Sequence, residues 1–130
     1  MANRGDTHPI MGVKDNLHLL TAKLTGAGGT NDLVINEASN RGGGEVTAAE
    51  YDGTTGQYAL TFRHSYPELK SVLGIEIVGD TAGLQARFLD IDVAAKTATI
   101  LFEVGATPTV LAATDTAYIN LLVRNSGFNT

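Results

Sequence analysis

The clearest signal along this chain is alternation. Tyr58, Leu60 and Phe62 alternate with Gln57, Thr61 and Arg63, and a side-chain period of two belongs to a strand with one buried and one wetted face. Asp52 and Gly53 end the run before it and Gly56 opens this one, which is the punctuation of a hairpin. Leu73, Ile75 and Ile77 repeat the pattern after a break at Pro67. These two strands are expected to form the middle of an antiparallel β domain.

The same reading extends to both sides. Residues 17–24, LHLLTAKL, form a first strand that turns Thr21 and Lys23 to water, and Leu33 to Ile35 is a short apolar run. Glu45 to Tyr51 alternates weakly, with Val46, Ala48 and Glu50 opposing Thr47, Ala49 and Tyr51. Leu89, Ile91 and Val93 alternate with Asp90 and Asp92, whereas Leu84, Ala86 and Phe88 precede them in the opposite phase. A phase change inside one run calls for a bulge or bend near Phe88. Residues 94–96 turn the chain into Thr97 to Val104, with Ala98, Ile100, Phe102 and Val104 inward and Asp92 near Thr97 across the hairpin. Gly105 to Asp115 reads as a long connection, and Ala117 to Arg124 is the last strand.

No amphipathic helical window is present, although YPELK at residues 66–70 admits a short helical turn, since proline is tolerated at a first helical position. The expectation is an all-β chain: an antiparallel β-sandwich or jelly-roll-like barrel of about eight short strands. Residues 1–16 contain Gly5, Pro9 and Gly12 without periodicity and read as a flexible N-terminal arm, leaving residues 17–130 as a single β domain. NRGGG at residues 40–44 places three consecutive glycines where a loop moves or another chain approaches closely.

Composition narrows the function. With 130 residues and 13.6 kDa the chain supports one domain with a real core. It has no cysteine, which removes disulfides, thiolate nucleophiles and zinc-thiolate sites. The formal charge is -5, and the nine Lys and Arg residues are scattered singly, so the clustered positive face that nucleic acid requires is missing. No apolar run approaches the roughly 20 residues of a membrane span, and MANRGDTHPI lacks the apolar core of a secretion signal. The expected chain is made and kept soluble inside a cell.

Candidate chemistry is sparse. Asp90 and Asp92 share one strand face roughly 6.5 to 7 Å apart, a spacing compatible with paired-carboxylate hydrolysis. A solvated strand carries the same pattern, and that reading is preferred. LDIDV offers too few oxygens for calcium. His64, between Arg63 and Ser65, reads as part of a polar loop. His18 reads as a packed histidine, because no second ligand stands nearby. GAGGTND at residues 26–32 lacks the Lys and Ser/Thr of a phosphate-binding loop. Arg4, Gly5 and Asp6 spell an integrin tripeptide, a match that arises readily by chance. Tyr51, Tyr58, Tyr66 and Tyr118 suggest a sugar-stacking face, weakened by the absence of tryptophan. The chain is read as a non-enzyme with no cofactor and no metal.

From Gly56 to Ser126 the sequence resembles small structural proteins of tailed bacteriophage particles, including capsid decoration and cement proteins. The resemblance lies in GQYALTF, PELKSVLGIEIVG, FLDIDVAAKTATILFEVG and ATDTAYINLLVRNS. It implies assembly rather than turnover: a homo-oligomer, with a trimer favoured, bound to the major capsid protein on the virion surface after synthesis in the host cytoplasm. The contact candidates are Arg4, His8, Ile10, Met11 and Val13 of the arm and Arg41, Gly42, Gly43 and Gly44 of the glycine loop, which would order on binding. The other reading is a carbohydrate- or receptor-binding module of a phage tail or fibre.

Overall fold

The computed structural model describes residues 17–36 and 45–124. Among these the chain forms nine strands and no helix. They are β1 (Leu17–Thr25), β2 (Val34–Ile35), β3 (Val46–Tyr51), β4 (Gln57–Phe62), β5 (Glu68–Val78), β6 (Leu84–Asp92), β7 (Thr97–Val104), β8 (Thr107–Pro108) and β9 (Thr116–Arg124). Two antiparallel sheets pack face to face as a sandwich, and the sheets do not close into a barrel. Sheet A has the order β2-β1-β9-β5 and sheet B the order β3-β4-β7-β6, with β8 also paired to β7.

Alternation decides which atoms lie between the sheets. Leu20, Ala22 and Leu24 of β1 and Ala117, Ile119, Leu121 and Val123 of β9 are buried from sheet A. Tyr58, Leu60 and Phe62 of β4 and Ala98, Ile100 and Phe102 of β7 meet them from sheet B. Burying each of the larger of these side chains is worth about 1.5–3 kcal/mol. Tyr58 packs edge-on against Phe102 with ring centroids 5.7 Å apart, the arrangement aromatic quadrupoles favour.

The bulge expected near Phe88 is present, as a register shift between Phe88 and Asp90 against β7. Asp92 pairs with Thr97 across the following turn, where Asp92 Oδ1 accepts the Ala95 amide. Lys96 sits in this turn at a φ of 68°, the left-handed region that disfavours a side chain.

Four expectations change. The helical turn over residues 66–70 is absent, because β5 begins at Glu68 and pairs Leu69 with Val123. The backbone of Tyr66 is likewise committed, its amide donating to Val93 O. Strand β5 does not lie in the middle; the segment after Phe62 crosses to the other sheet, where β5 is an edge. The weak alternation of β3 fails because a register shift between Val46 and Ala48 reverses the phase, burying Ala49 instead of Ala48. The stretch after Gly105 contains β8 and a fully buried Leu111.

Candidate functional site

None of the nine contact candidates, Arg4, His8, Ile10, Met11, Val13, Arg41, Gly42, Gly43 and Gly44, lies within the described residues. The roots of their two segments do. One segment ends where Leu17 begins β1, and the other ends at Glu45, just before β3. A hydrogen bond joins these roots: His18 Nε2 lies 2.6 Å from Glu45 Oε1.

His18 shares the phase of Leu20 and Ala22 and is in register with Val123, so the pleat carries it toward the interior at one end of the sandwich. Its ring stacks on Tyr66, with centroids 5.7 Å apart and planes 13° from parallel. Glu45 is 2% exposed, and its backbone carbonyl accepts the Arg63 amide at 2.7 Å. Its second carboxylate oxygen, Oε2, has no hydrogen-bond partner among the described residues. A buried carboxylate needs a compensating donor, which here is the imidazole. Burial pushes the Tyr66 hydroxyl above its ordinary range, and the neighbouring Glu45 carboxylate adds to the rise. The cluster therefore ties β1, the entry to β3 and the segment before β5 through one polar contact and one ring stack.

The other candidates are dispersed. Asp90 and Asp92 are exposed on β6, and Asp92 is engaged in the turn at Ala95. His64 is exposed, while the neighbouring Ser65 hydroxyl donates to Ala94 O at 2.7 Å. No group of three or more His, Asp or Glu side chains suited to a metal ion occurs among the described residues. Tyr58 and Tyr66 are buried, leaving Tyr118 as the most exposed of the four tyrosines, with Lys23 Nζ 5.8 Å from its ring centre.

Exposed apolar groups gather elsewhere. Val72 is 45% exposed, Leu73 55% and Val78 58%, all on β5, and Leu89 of β6 is 42% exposed. Strands β5 and β6 are consecutive, and each is the last strand of its sheet. Inward residues of the same two strands, including Leu69, Ile75, Ile77 and Phe88, are only partly buried. The last strands of the two sheets thus carry four exposed large apolar side chains, interspersed with exposed charged ones such as Glu68, Lys70, Glu76, Arg87 and Asp90, a feature that sequence alternation alone did not reveal. Its sequence signal was the adjacent Val72 and Leu73, two large apolar residues where alternation allows one.

No protein-family model, curated protein or solved structure matches this chain.

Proposed function

We propose that the chain is a non-enzymatic structural protein of a tailed-bacteriophage particle that binds the assembled capsid and stabilises it, as decoration and cement proteins do. The carrying observation is the set of exposed large apolar side chains, Val72, Leu73, Val78 and Leu89, on the last strands of the two sheets. Large apolar side chains left exposed are the groups through which another macromolecule would dock. The four stretches that resemble phage structural proteins supply β4, β5, the β6–β7 hairpin and β9, and so most of both sheets. A glycan-binding reading draws less support, since Tyr58 and Tyr66 point their rings into the core.

In this reading the partner is the major capsid protein and the place of action is the virion surface. A protein that binds only the assembled shell stabilises it by mass action, and many copies multiply the effect. The test is cosedimentation with purified shells that lack this protein, followed by thermal disruption of the shells. The expected result is saturable binding at a fixed ratio to capsid protein and a higher disruption temperature. Absence of binding, or binding to isolated glycans alone, would sink the proposal. Deleting residues 2–14 then asks whether the arm contributes, and binding unchanged by that deletion removes it from the mechanism.

A further inference from the structure

Strand β5 ends sheet A with one side of its backbone unpaired by any strand of the sheet. Such an edge is a template for another strand, and proteins commonly guard it with charge, proline or irregularity. β5 carries two register shifts against β9, at Asn120/Leu121 and Leu122/Val123, which leave Leu73 and Lys70 without a register partner on β9. A bulge re-aims a side chain, and here Leu73 is 55% exposed. The irregular middle of the edge therefore presents apolar groups, Val72 and Leu73, beside the single charge of Lys70.

The sequence of β5 is ELKSVLGIEIV, from Glu68 to Val78, with Leu73 at its centre. Lay a second copy of this strand antiparallel to the first, with a twofold axis through Leu73. Lys70 then faces the second copy's Glu76, and Glu76 faces the second copy's Lys70. Leu69 and Ile77, both of which face the interior in register with Val123 and Ala117, also fall opposite one another. Glu68 falls opposite Val78, so no like charges face each other. Opposite charges directly across an antiparallel pair are favourable and like charges are not, and a patch that complements itself under a twofold is what an isologous interface requires.

The charges are available for this pairing. Glu76 is exposed and makes no ion pair among the described residues. Lys70 Nζ lies 3.5 Å from Glu68 Oε1, with both side chains well exposed, an arrangement worth little in water. If Lys70 turns to a new partner, Glu68 keeps Arg124 at 3.3 Å.

We infer that the free edge of β5 is a self-association surface, which pairs two copies of this chain antiparallel about Leu73 with Lys70 opposite Glu76. This twofold pair takes the place of the trimer that the resemblance implies, and by covering Val72, Leu73 and Val78 it leaves Leu89 of β6, of the four exposed apolar side chains, open to a shell.

The test is sedimentation equilibrium of the full chain and of three variants, each checked for native strand content by circular dichroism. The wild type is expected at twice the 13.6 kDa of the single chain. Lys70→Glu makes both facing pairs repulsive and should raise the dimer dissociation constant about tenfold or more. The double exchange Lys70→Glu with Glu76→Lys restores both attractions and should return the constant to within about threefold of wild type, the scatter expected of exposed pairs. Leu73→Asp should give monomer. A monomeric or trimeric wild type overturns the inference, as does a dimer that Lys70→Glu leaves intact or that the double exchange fails to rescue.

Discussion

The hydroxyl of Tyr58 accepts a hydrogen bond from the amide of Leu111 at 3.2 Å, across a sequence separation of 53 residues. It gives the buried end of an otherwise apolar ring a partner, and it satisfies a backbone donor in the segment that leads to β9. Tyr58→Phe keeps the packing and orphans that amide, at a cost of about 1–3 kcal/mol, to be read from urea unfolding. Burial raises the Tyr58 hydroxyl above its ordinary value of 10.0, the Leu111 bond lowers it in part, and Tyr51 adds a smaller rise. The fold thus favours the protonated form, so this contribution is complete below pH 10.0 and is lost as pH rises beyond it. Tyr66 shifts in the same direction. Stability of the wild type should decline at alkaline pH, and Tyr58→Phe should show a shallower decline.

Asp115 is fully buried and accepts both the amide and the hydroxyl of Thr81. Burial alone would raise its carboxyl. The bonds from Thr81, with those from the Ala112 and Asp80 amides, outweigh it and hold the group below the ordinary 3.8. Its stabilisation is therefore present above pH 3.8 and is lost as pH falls below that value. Asp115→Asn should lower stability at neutral pH by about 1.5–3 kcal/mol and flatten the acid limb of the stability curve.

A Cβ at Gly79 would collide with Asp115 Oδ1 and with the Thr114 carbonyl. Gly79→Ala must push the 79–81 turn off its latch, and a loss of about 1–3 kcal/mol is expected. In thermal unfolding the loss should shrink when Asp115→Asn is already present, because the two changes act on one contact.

Removing His18 leaves the buried Glu45 carboxylate without its imidazole. His18→Ala should cost on the order of 3 kcal/mol, whereas Glu45→Gln, which removes the charge and keeps an acceptor, should cost less. Urea unfolding of the two variants side by side gives the order, and a reversed order would mean that the carboxylate is compensated elsewhere.

Lys96 adopts the left-handed conformation at φ 68°, which costs a non-glycine residue roughly 1–2 kcal/mol. Glycine relieves that strain but gains freedom in the unfolded chain. Lys96→Gly should therefore raise stability by no more than about 1 kcal/mol, detectable as a higher urea midpoint with an unchanged slope.

Strands whose pairing is regular were legible because burial follows a period of two. β4 and β9 bury the residues that alternation selects, β7 buries Ala98, Ile100 and Phe102 but also the out-of-phase Leu101 and leaves Val104 half-buried, and the bulge in β6 announced itself as a phase change. Legibility failed where an extra residue shifts the register without an obvious change of composition, as in β3, or where pairing rests on two residues, as in β8. The Glu45 contact was hidden for another reason. His18 visibly shared the phase of Leu20, which marked it as inward, but its partner lies 27 residues away and only the fold brings it near. The exposed apolar side chains of β5 and β6 were also obscured, because a large apolar residue on an edge strand reads like one in the core until the sheet order is known.

The position of β9 between β1 and β5 sets a timetable for the newborn chain. Sheet B is complete once residue 108 is available, and three of its junctions are hairpins between consecutive strands. Sheet A waits, since Thr25 meets Thr116 only after 91 further residues are made, roughly 5 to 18 s at ordinary translation rates. Leu20 and Leu24 of β1 throughout that interval, and Leu69 and Ile75 of β5 from the moment they are made, have no central strand to shield them. The hazard is greatest for a ribosome that stalls before β9: it releases a half-built sandwich with two adhesive strands, the kind of species that quality control must remove.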